Sequence, residues 1–233
     1  MSLLSTRARD GALRAEQAAL TRSRILDAAR SLLLDGGSAG LTIGGLAEAA
    51  GVSPQTIYNS IGNKAAVIKA IYDVMLAGDE DPRPMSERPE FRAMTDAADA
   101  ASMLRHYARF GRRIAERVAP LLTVLFANAD DDVRALATTI DGERLKGNSL
   151  TVRRLADRFG LPPRMSDAHA ADVLWALTAP ELYDRLVRRR GWSADAYEHW
   201  LGDAMIAALT HPTVKRSSRR QAESGDPLAD SAG

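Results

Sequence analysis

The sequence predicts an all-α protein with two helical lobes. Apolar residues recur at the three- and four-residue spacing of amphipathic helices over most of the 233 residues, and no alternating or β-branched run reaches strand length. Glycines, prolines and capping residues divide this pattern into separate helices. A chain of this length can bury one large core or two smaller ones. We therefore expect a group of short N-terminal helices followed by a bundle of longer helices.

The composition narrows the class of protein. The chain contains no cysteine, which excludes disulfides, thiolate metal sites and thiol catalysis and is typical of a reducing compartment. No apolar run approaches the roughly 18 residues of a membrane span, and the first residues lack the apolar core of a signal peptide. We expect a cytoplasmic protein that makes no membrane contact.

Charge is distributed unevenly along the chain. The formal net charge is only +1, so charge alone does not predict nucleic-acid binding. The first residues are more basic, because Asp10 and Glu16 are their only acids up to Arg24. The arginines there are Arg7, Arg9, Arg14, Arg22 and Arg24. Residues 1–20 are therefore predicted to form a flexible basic arm.

Residues 21–77 are predicted to form the first lobe. Its helices are expected at about Thr21 to Leu34, Thr42 to Ala49 and Ser53 to Ser60, and a fourth begins at its cap Asn63. The first helix should end at Gly36-Gly37, since glycine accepts the left-handed conformation that follows a helix. Thr42, Ser53 and Asn63 have the side-chain oxygens that cap helix N-termini.

The second half of the chain should form a linker and a second lobe. Three prolines between Gly78 and Pro89 interrupt the helical period, so residues 78–92 are predicted as a linker. Residues 93–213 are predicted as a ligand-binding and dimerisation domain, and residues 214–233 as a disordered tail. Within this lobe, one helix should end near Pro120 and another should be kinked or split at Pro180.

The stretch AGVSPQTIYNSIGNK, residues 50–64, has the pattern of a helix-turn-helix. Two short helices meet at Gly51-Val52, and such a pair places its second helix in the DNA major groove. Leu46, Ala47, Val52 and Ile57 should face inward. The polar residues then face outward, where amides can bind base edges and hydroxyls or a lysine can bind phosphates. The predicted DNA contacts are Thr42, Ser53, Gln55, Thr56, Tyr58, Asn59 and Lys64. The alternative is an ordinary helical pair whose polar residues are only solvated.

A resemblance to a known family strengthens the DNA-binding interpretation. The matching residues are Arg22 to Ala29 (Arg-x-x-Ile-Leu-x-Ala-Ala), Gly36, Leu41-Thr42, Leu46-Ala47, Ala50 to Ser53, Thr56 to Tyr58, and Lys64. This segment resembles the DNA-binding domain of the tetracycline-repressor (TetR) family of bacterial transcriptional regulators. The resemblance implies a sequence-specific regulator, a repressor that a small molecule releases from a palindromic operator. Ile61, Ala65 and Gly44-Gly45 depart from the family pattern, in which the first two positions usually hold an aromatic residue and an acid.

The same resemblance implies that the second lobe binds a small effector and forms a homodimer through its closing helices. Leu104, Tyr107, Phe110, Phe126 and Trp175 are the predicted ligand contacts, and an apolar or aromatic ligand is expected. Tyr197, Trp200, Leu201 and Met205 are the predicted dimer contacts. The alternative for both sets is that they are ordinary core residues, since the core of a single chain also has apolar residues at helical spacing.

Catalysis is not expected. The four histidines lack zinc-protease spacing, and no nucleophile elbow or phosphate-binding loop occurs. No cofactor or metal is predicted. The alternatives to a repressor are a helical small-molecule-binding protein, an activator, or a protein-interaction module.

Overall fold

The chain folds into ten α-helices and one π-helical segment in the part that the computed structural model describes, residues 3–78, 87, 89–127 and 131–210. The helices are α1 (Leu3–Gly40), α2 (Ile43–Ala50), α3 (Pro54–Ser60), α4 (Lys64–Ala77), α5 (Pro89–Thr95), α6 (Ala100–Ala127), α7 (Asp131–Phe159), α8 (Asp167–Leu177), α9 (Pro180–Tyr183) and α10 (Ala194–Leu209); the π-helical segment is Asp184–Arg189. No strand occurs among the described residues. The predicted all-α class is confirmed.

The first helix is longer than predicted. It begins at Leu3 rather than near Thr21, so the segment predicted as a flexible arm is helical over most of its length. The cause is local, since GALRAEQAAL consists mostly of strong helix formers. Residues 11–20 are exposed, including Leu13 and Leu20. The predicted helix end is present, because Gly37 (φ 64°) interrupts the helix.

Three polar side chains begin α2, α3 and α4, as the sequence predicts. Thr42 Oγ1 accepts from the backbone N–H of Gly45 at 3.1 Å, and Ser53 Oγ accepts from that of Thr56 at 3.1 Å. Asn63 Oδ1 accepts from the backbone N–H at position 66 at 2.9 Å. Each cap satisfies one of the N–H groups that a helix start leaves without a partner.

The described residues form two core clusters. The first joins α1 to α4 and contains the fully buried Ile25, Leu46, Ile57 and Ile68. Residues of the second half of α6 and the first half of α7 complete this cluster: Val118, Leu121, Leu122, Leu125, Val133, Leu136 and Ile140. The second cluster joins α5, the rest of α6 and α7, and α8 to α10. The core of the N-terminal lobe therefore extends into the second half of the chain.

A helix was predicted to end near Pro120, but this prediction is wrong. It lies inside α6, which continues to Ala127. An internal proline removes one helical hydrogen bond. The apolar face nevertheless continues through Val118, Leu121 and Leu122, and their burial stabilises the uninterrupted helix. By contrast, Pro180 is the first residue of α9 and separates it from α8, which agrees with the predicted break.

Most of the predicted dimer contacts lie in the chain's own core. Tyr197, Leu201 and Met205 are at most 1% exposed in the single chain, where α10 packs mainly on α6. The Tyr197 ring meets the Tyr183 ring edge-on, with 5.1 Å between centroids. The prediction that these three side chains form a dimer interface is therefore wrong, since their amphipathic stripe is used within the chain. Trp200 is half-buried and contacts the exposed Trp192.

Candidate DNA-binding helix and interhelical cavity

The helix α3 presents polar side chains outward from a buried anchor. Ile57 is fully buried in the first core cluster, whereas Gln55, Tyr58 and Asn59 are exposed. Gln55 Nε2 donates to Asn59 Oδ1 at 2.8 Å, so the two amides lie side by side on the outer face. This face has free amide donors and acceptors as well as a phenol, which are groups that can bind base edges and phosphates.

The other predicted DNA contacts lie at the starts of the helices. Thr42 and Ser53 are exposed, and both hydroxyls act as caps. The Ser53 and Thr56 hydroxyls also lie 2.8 Å apart. Lys64 is the first residue of α4, where backbone N–H groups and the helix dipole favour an anion. The fold thus brings all seven predicted residues to α3 and to the starts of α2, α3 and α4.

An arginine of α1 holds the end of α3. Arg22 Nη1 donates to the backbone oxygen of Ser60, the last residue of α3, at 3.1 Å. A cation at a helix C-terminus compensates the carbonyl groups that have no partner there. Arg22 was noted only as one of the N-terminal arginines and as a family-matching residue, and this contact was not predicted. The signal is weak in sequence, because the two residues are far apart along the chain.

A cavity of about 380 Å³ lies between α4, α5, α6, α7 and the α8–α9 connection. Most of its wall is apolar or aromatic, and two glycines, Gly111 and Gly147, widen it. The wall consists of Tyr72, Leu76, Phe91, Tyr107, Phe110, Gly111, Ile114, Ala115, Val118, Glu143, Arg144, Gly147, Asn148, Leu150, Thr151, Arg154, Thr178 and Pro180. Its size and composition are those of a small-molecule site.

A buried polar network crosses one side of this cavity. Asn148 is 4% exposed and accepts at Oδ1 from the Tyr107 hydroxyl at 2.9 Å. Its Nδ2 donates to the Arg144 backbone oxygen at 3.0 Å and to Thr178 Oγ1 at 3.2 Å. Burial raises the pKa of the Tyr107 hydroxyl, which therefore stays protonated and remains a donor.

Among the described residues, three charged side chains also line the cavity. Arg144 Nη1 lies 2.6 Å from Asp141 Oδ1, and Glu143 Oε2 lies 3.2 Å from Lys69 Nζ. Lys69 in turn pairs with Asp73 on α4. The Arg154 guanidinium lies over the Phe91 ring, 5.0 Å from the ring centroid.

Only some of the predicted ligand contacts line the cavity. Tyr107 and Phe110 line the cavity, but Leu104 is fully buried in the second core cluster and does not. Trp175 is not in the wall either; its Nε1 donates to Asp141 Oδ1 at 3.2 Å, and its ring contacts Arg144. These two assignments are corrected, since the apolar spacing that suggested them is that of core packing. The side chain of Phe126 lies outside the described residues.

The polar residues of α7 were missed by the sequence analysis. Arg144, Asn148, Thr151 and Arg154 recur at three- and four-residue spacing and form one face of α7. That spacing was visible in the sequence. The predicted ligand contacts were all apolar or aromatic residues, and none of them lies on α7.

Two polar contacts among the described residues link α6 and α7 to α4. Arg117 of α6 donates from Nε to the backbone oxygen of Met75 at 2.7 Å and from Nη2 to that of Leu76 at 3.0 Å. The pair of Lys69 and Glu143 connects α4 to α7. A shift of α6 or α7 would therefore act directly on α4.

The arrangement defines a class of protein. An exposed polar helix held after a tight turn, together with a cavity in a second helical lobe, is that of a two-lobed helix-turn-helix transcriptional regulator. Residues 25–71 match the family described as bacterial regulatory proteins, tetR family. This match confirms the resemblance of the N-terminal lobe to the DNA-binding domain of the tetracycline-repressor family.

Solved structures share the fold. NalD, the secondary repressor of the MexAB-OprM multidrug efflux pump in Pseudomonas aeruginosa, is 21% identical over 84% of this chain and 99% of its own, with a TM-score of 0.65. MexZ, a repressor responsible for antibiotic resistance in the same organism, is 23% identical over 82% and 96% of the two chains, with a TM-score of 0.56. SmeT in complex with triclosan is 18% identical over 91% and 100%, with a TM-score of 0.62. No curated protein sequence matches the chain.

The described residues contain no group of three or more histidines, aspartates or glutamates arranged to hold a metal ion. In the same part of the chain, no helix is both long enough and apolar enough to cross a membrane.

Proposed function

We propose that the protein is a homodimeric repressor that binds a palindromic operator through α3 and leaves it when a small molecule fills the cavity. It acts on DNA in the cytoplasm. The observation that carries this proposal is the position of α4. This helix contributes Tyr72 and Leu76 to the cavity wall, and its Ile68 packs in the same core cluster as Ile57 of α3.

The DNA-binding part rests on the exposed face of α3. Gln55 and Asn59 would bind base edges, with adenine as the base that a glutamine or asparagine amide fits best. Lys64, Thr42 and Ser53 would bind phosphates on either side and set the position of α3 in the groove. Two copies on one duplex would read two half-sites about one helical turn apart, which gives the operator its twofold symmetry.

The release part rests on a difference in affinity. A ligand shifts an equilibrium only by as much as it prefers one conformation over the other. A molecule between α4, α6 and α7 would change the spacing of these helices. The hydrogen bond from Arg117 to Met75 and the ion pair between Glu143 and Lys69 would transmit that change from α6 and α7 to α4. The two copies of α3 would then no longer fit successive grooves.

Selection of bound sequences from a random DNA pool tests the DNA-binding part. We expect an enriched palindrome. Affinity for it should fall steeply with salt, and Lys64→Ala should lower the affinity for all sequences and reduce the salt slope by about one. Asn59→Ala should instead relax the preference at one base position in each half-site. Lys146→Ala, an exposed lysine on α7, is the matched control and should bind as the wild type does.

Two outcomes would contradict this proposal. An enriched sequence without twofold symmetry would contradict the dimeric arrangement, and no enrichment at all would contradict operator recognition. For the release part, compounds that raise the melting temperature are added to the protein–operator complex. Stabilising compounds that fill the cavity and leave operator affinity unchanged would contradict ligand release.

A further inference from the structure

We propose that the cavity selects amphipathic anions, which join a hydrophobic body to one carboxylate or sulfonate group, and that Arg154 binds this group. The inference rests on the proposed function only in taking the cavity as the effector site. It concerns the chemistry of the ligand, whatever the ligand does to DNA.

The wall suits a hydrophobic body of one or two rings or a short chain. Phe91 and Phe110 meet edge-on, with 6.4 Å between ring centroids, and Tyr107 lies 6.1 Å from Phe110. These rings, with Ile114 and Val118, form a continuous apolar surface along α5 and α6. Aromatic and aliphatic ligand groups gain from leaving water for such a surface.

Arg154 differs from Arg144 and Glu143, the other charged residues of the wall, because it forms no ion pair with a described residue. Arg144 is neutralised by Asp141, and Glu143 by Lys69. Among the described residues, Arg154 has no carboxylate within salt-bridge distance. Its guanidinium is half-buried and rests on the Phe91 ring, which orients it without satisfying its N–H donors.

An anionic group is the ligand chemistry that completes this arrangement. The planar fork of Arg154 can donate two parallel hydrogen bonds to a carboxylate or sulfonate, and such charge-assisted bonds are the strong ones. A neutral ligand of the same size would displace water from the guanidinium without replacing the hydrogen bonds that the water accepts. A cationic ligand would meet Arg154 as a like charge. Glu143, the only carboxylate among the described residues of the wall, is already engaged by Lys69.

Two fluorescent probes with the same ring skeleton test the proposal. These are 8-anilino-1-naphthalenesulfonate, which is anionic, and N-phenyl-1-naphthylamine, which is neutral. In titrations of the whole protein, Arg154→Met should weaken binding of the anionic probe about 10- to 100-fold, the range for loss of a hydrogen bond to a charged group. Binding of the neutral probe should not weaken, because that probe makes no bond to the guanidinium and no longer has to remove water from it. Arg153→Met, the exposed neighbour outside the wall, is the matched control and should change neither probe.

A second pair of variants shows where the probes bind. A Cβ at Gly147 in the wall meets no atom within 4 Å, so Gly147→Leu should fold and occupy part of the cavity. It should abolish binding of both probes. Gly142→Leu makes the same change on the same helix, also into open space but outside the wall, and should leave binding unchanged.

Each contrary outcome is distinct. Equal weakening of both probes in Arg154→Met, or no weakening, would overturn the role of Arg154. Binding of the anionic probe that survives Gly147→Leu would place the probe elsewhere and would also overturn it. Operator binding is measured separately without probe. Failure to bind DNA, with the Arg154 dependence intact, would contradict only the proposed function.

Discussion

The contact between α6 and the end of α4 gives a prediction whose size follows from the structure. Arg117 donates two charge-assisted hydrogen bonds to the last-turn carbonyls of α4, at Met75 and Leu76. Arg117→Met keeps most of the aliphatic stem and removes both bonds. Because the site is half-buried and water can reach the freed carbonyls, we expect a loss of about 2 kcal/mol in the free energy of unfolding. In a chain of this length, the melting temperature should fall by about 4 to 8 °C.

The same contact couples to Gly78, which ends α4. Gly78 has φ 83°, and a Cβ there would lie 2.9 Å from Arg117 Cζ. Gly78→Ala should therefore cost about 1 to 2 kcal/mol for the left-handed backbone, with a further loss because the guanidinium must leave its two carbonyls. In the Arg117→Met background the guanidinium is already absent, so Gly78→Ala adds only its backbone cost. The two single effects should sum to more than the double effect by about 1 kcal/mol or more.

Urea unfolding followed by far-ultraviolet circular dichroism measures these effects. Arg105→Met is the control on the same helix, because Arg105 and Asp203 form an exposed ion pair at 3.0 Å that should contribute less than about 1 kcal/mol. Strict additivity of Arg117→Met and Gly78→Ala would refute the reasoning. So would an Arg117→Met protein as stable as the Arg105→Met control.

Three other predictions concern single side chains. Ile57→Ala should lower the free energy of unfolding by about 2 to 5 kcal/mol in chemical denaturation, since Ile57 is fully buried; a change below about 1 kcal/mol would contradict this. Arg22→Gln should weaken operator binding about 2- to 10-fold in a gel-shift assay, because Ser60 loses its donor, whereas unchanged binding would deny Arg22 a positioning role. Burial raises the pKa of Tyr72 to about 12, so stability should decline between pH 10 and 12 as the unfolded chain loses a proton that the folded chain keeps. The Tyr72→Phe protein should lack this part of the decline. Parallel curves of unfolding free energy against pH for the two proteins would contradict the role of Tyr72.

Local signals in the sequence were sufficient to predict α2, α3 and α4. Thr42, Ser53 and Asn63 each precede a helix and cap it, and a cap depends only on residues within one turn. Gly51 adopts the left-handed conformation that the turn needs. Because the outward residues of α3 follow from its short length and one buried isoleucine, its exposed face was also predictable.

The residues that line the cavity and the packing of the closing helices could not be predicted, because both depend on tertiary contacts that the sequence does not show. A stripe such as Tyr197, Leu201 and Met205 reveals that a helix has an apolar face, but the helix that covers it is decided by packing. The same limit applies to Leu104, which packs in the core instead of lining the cavity. The pairing of Arg117 with α4 likewise joins residues 41 and 42 positions apart, and nothing local in the sequence marks it.

The first core cluster determines which parts of this chain can be separated. Its apolar side chains from α6 and α7 are as buried as those of α1 to α4, so the proline-rich junction after Gly78 divides the sequence but not this cluster. A fragment that stops at the junction would lack the α6 and α7 side chains of this cluster, would expose apolar residues of α1 to α4 to water and should not hold α3 in place. Exchange of DNA specificity between related regulators by recombination would consequently require grafting the outer residues of α3 alone, or transferring matching segments of α6 and α7 along with the first four helices.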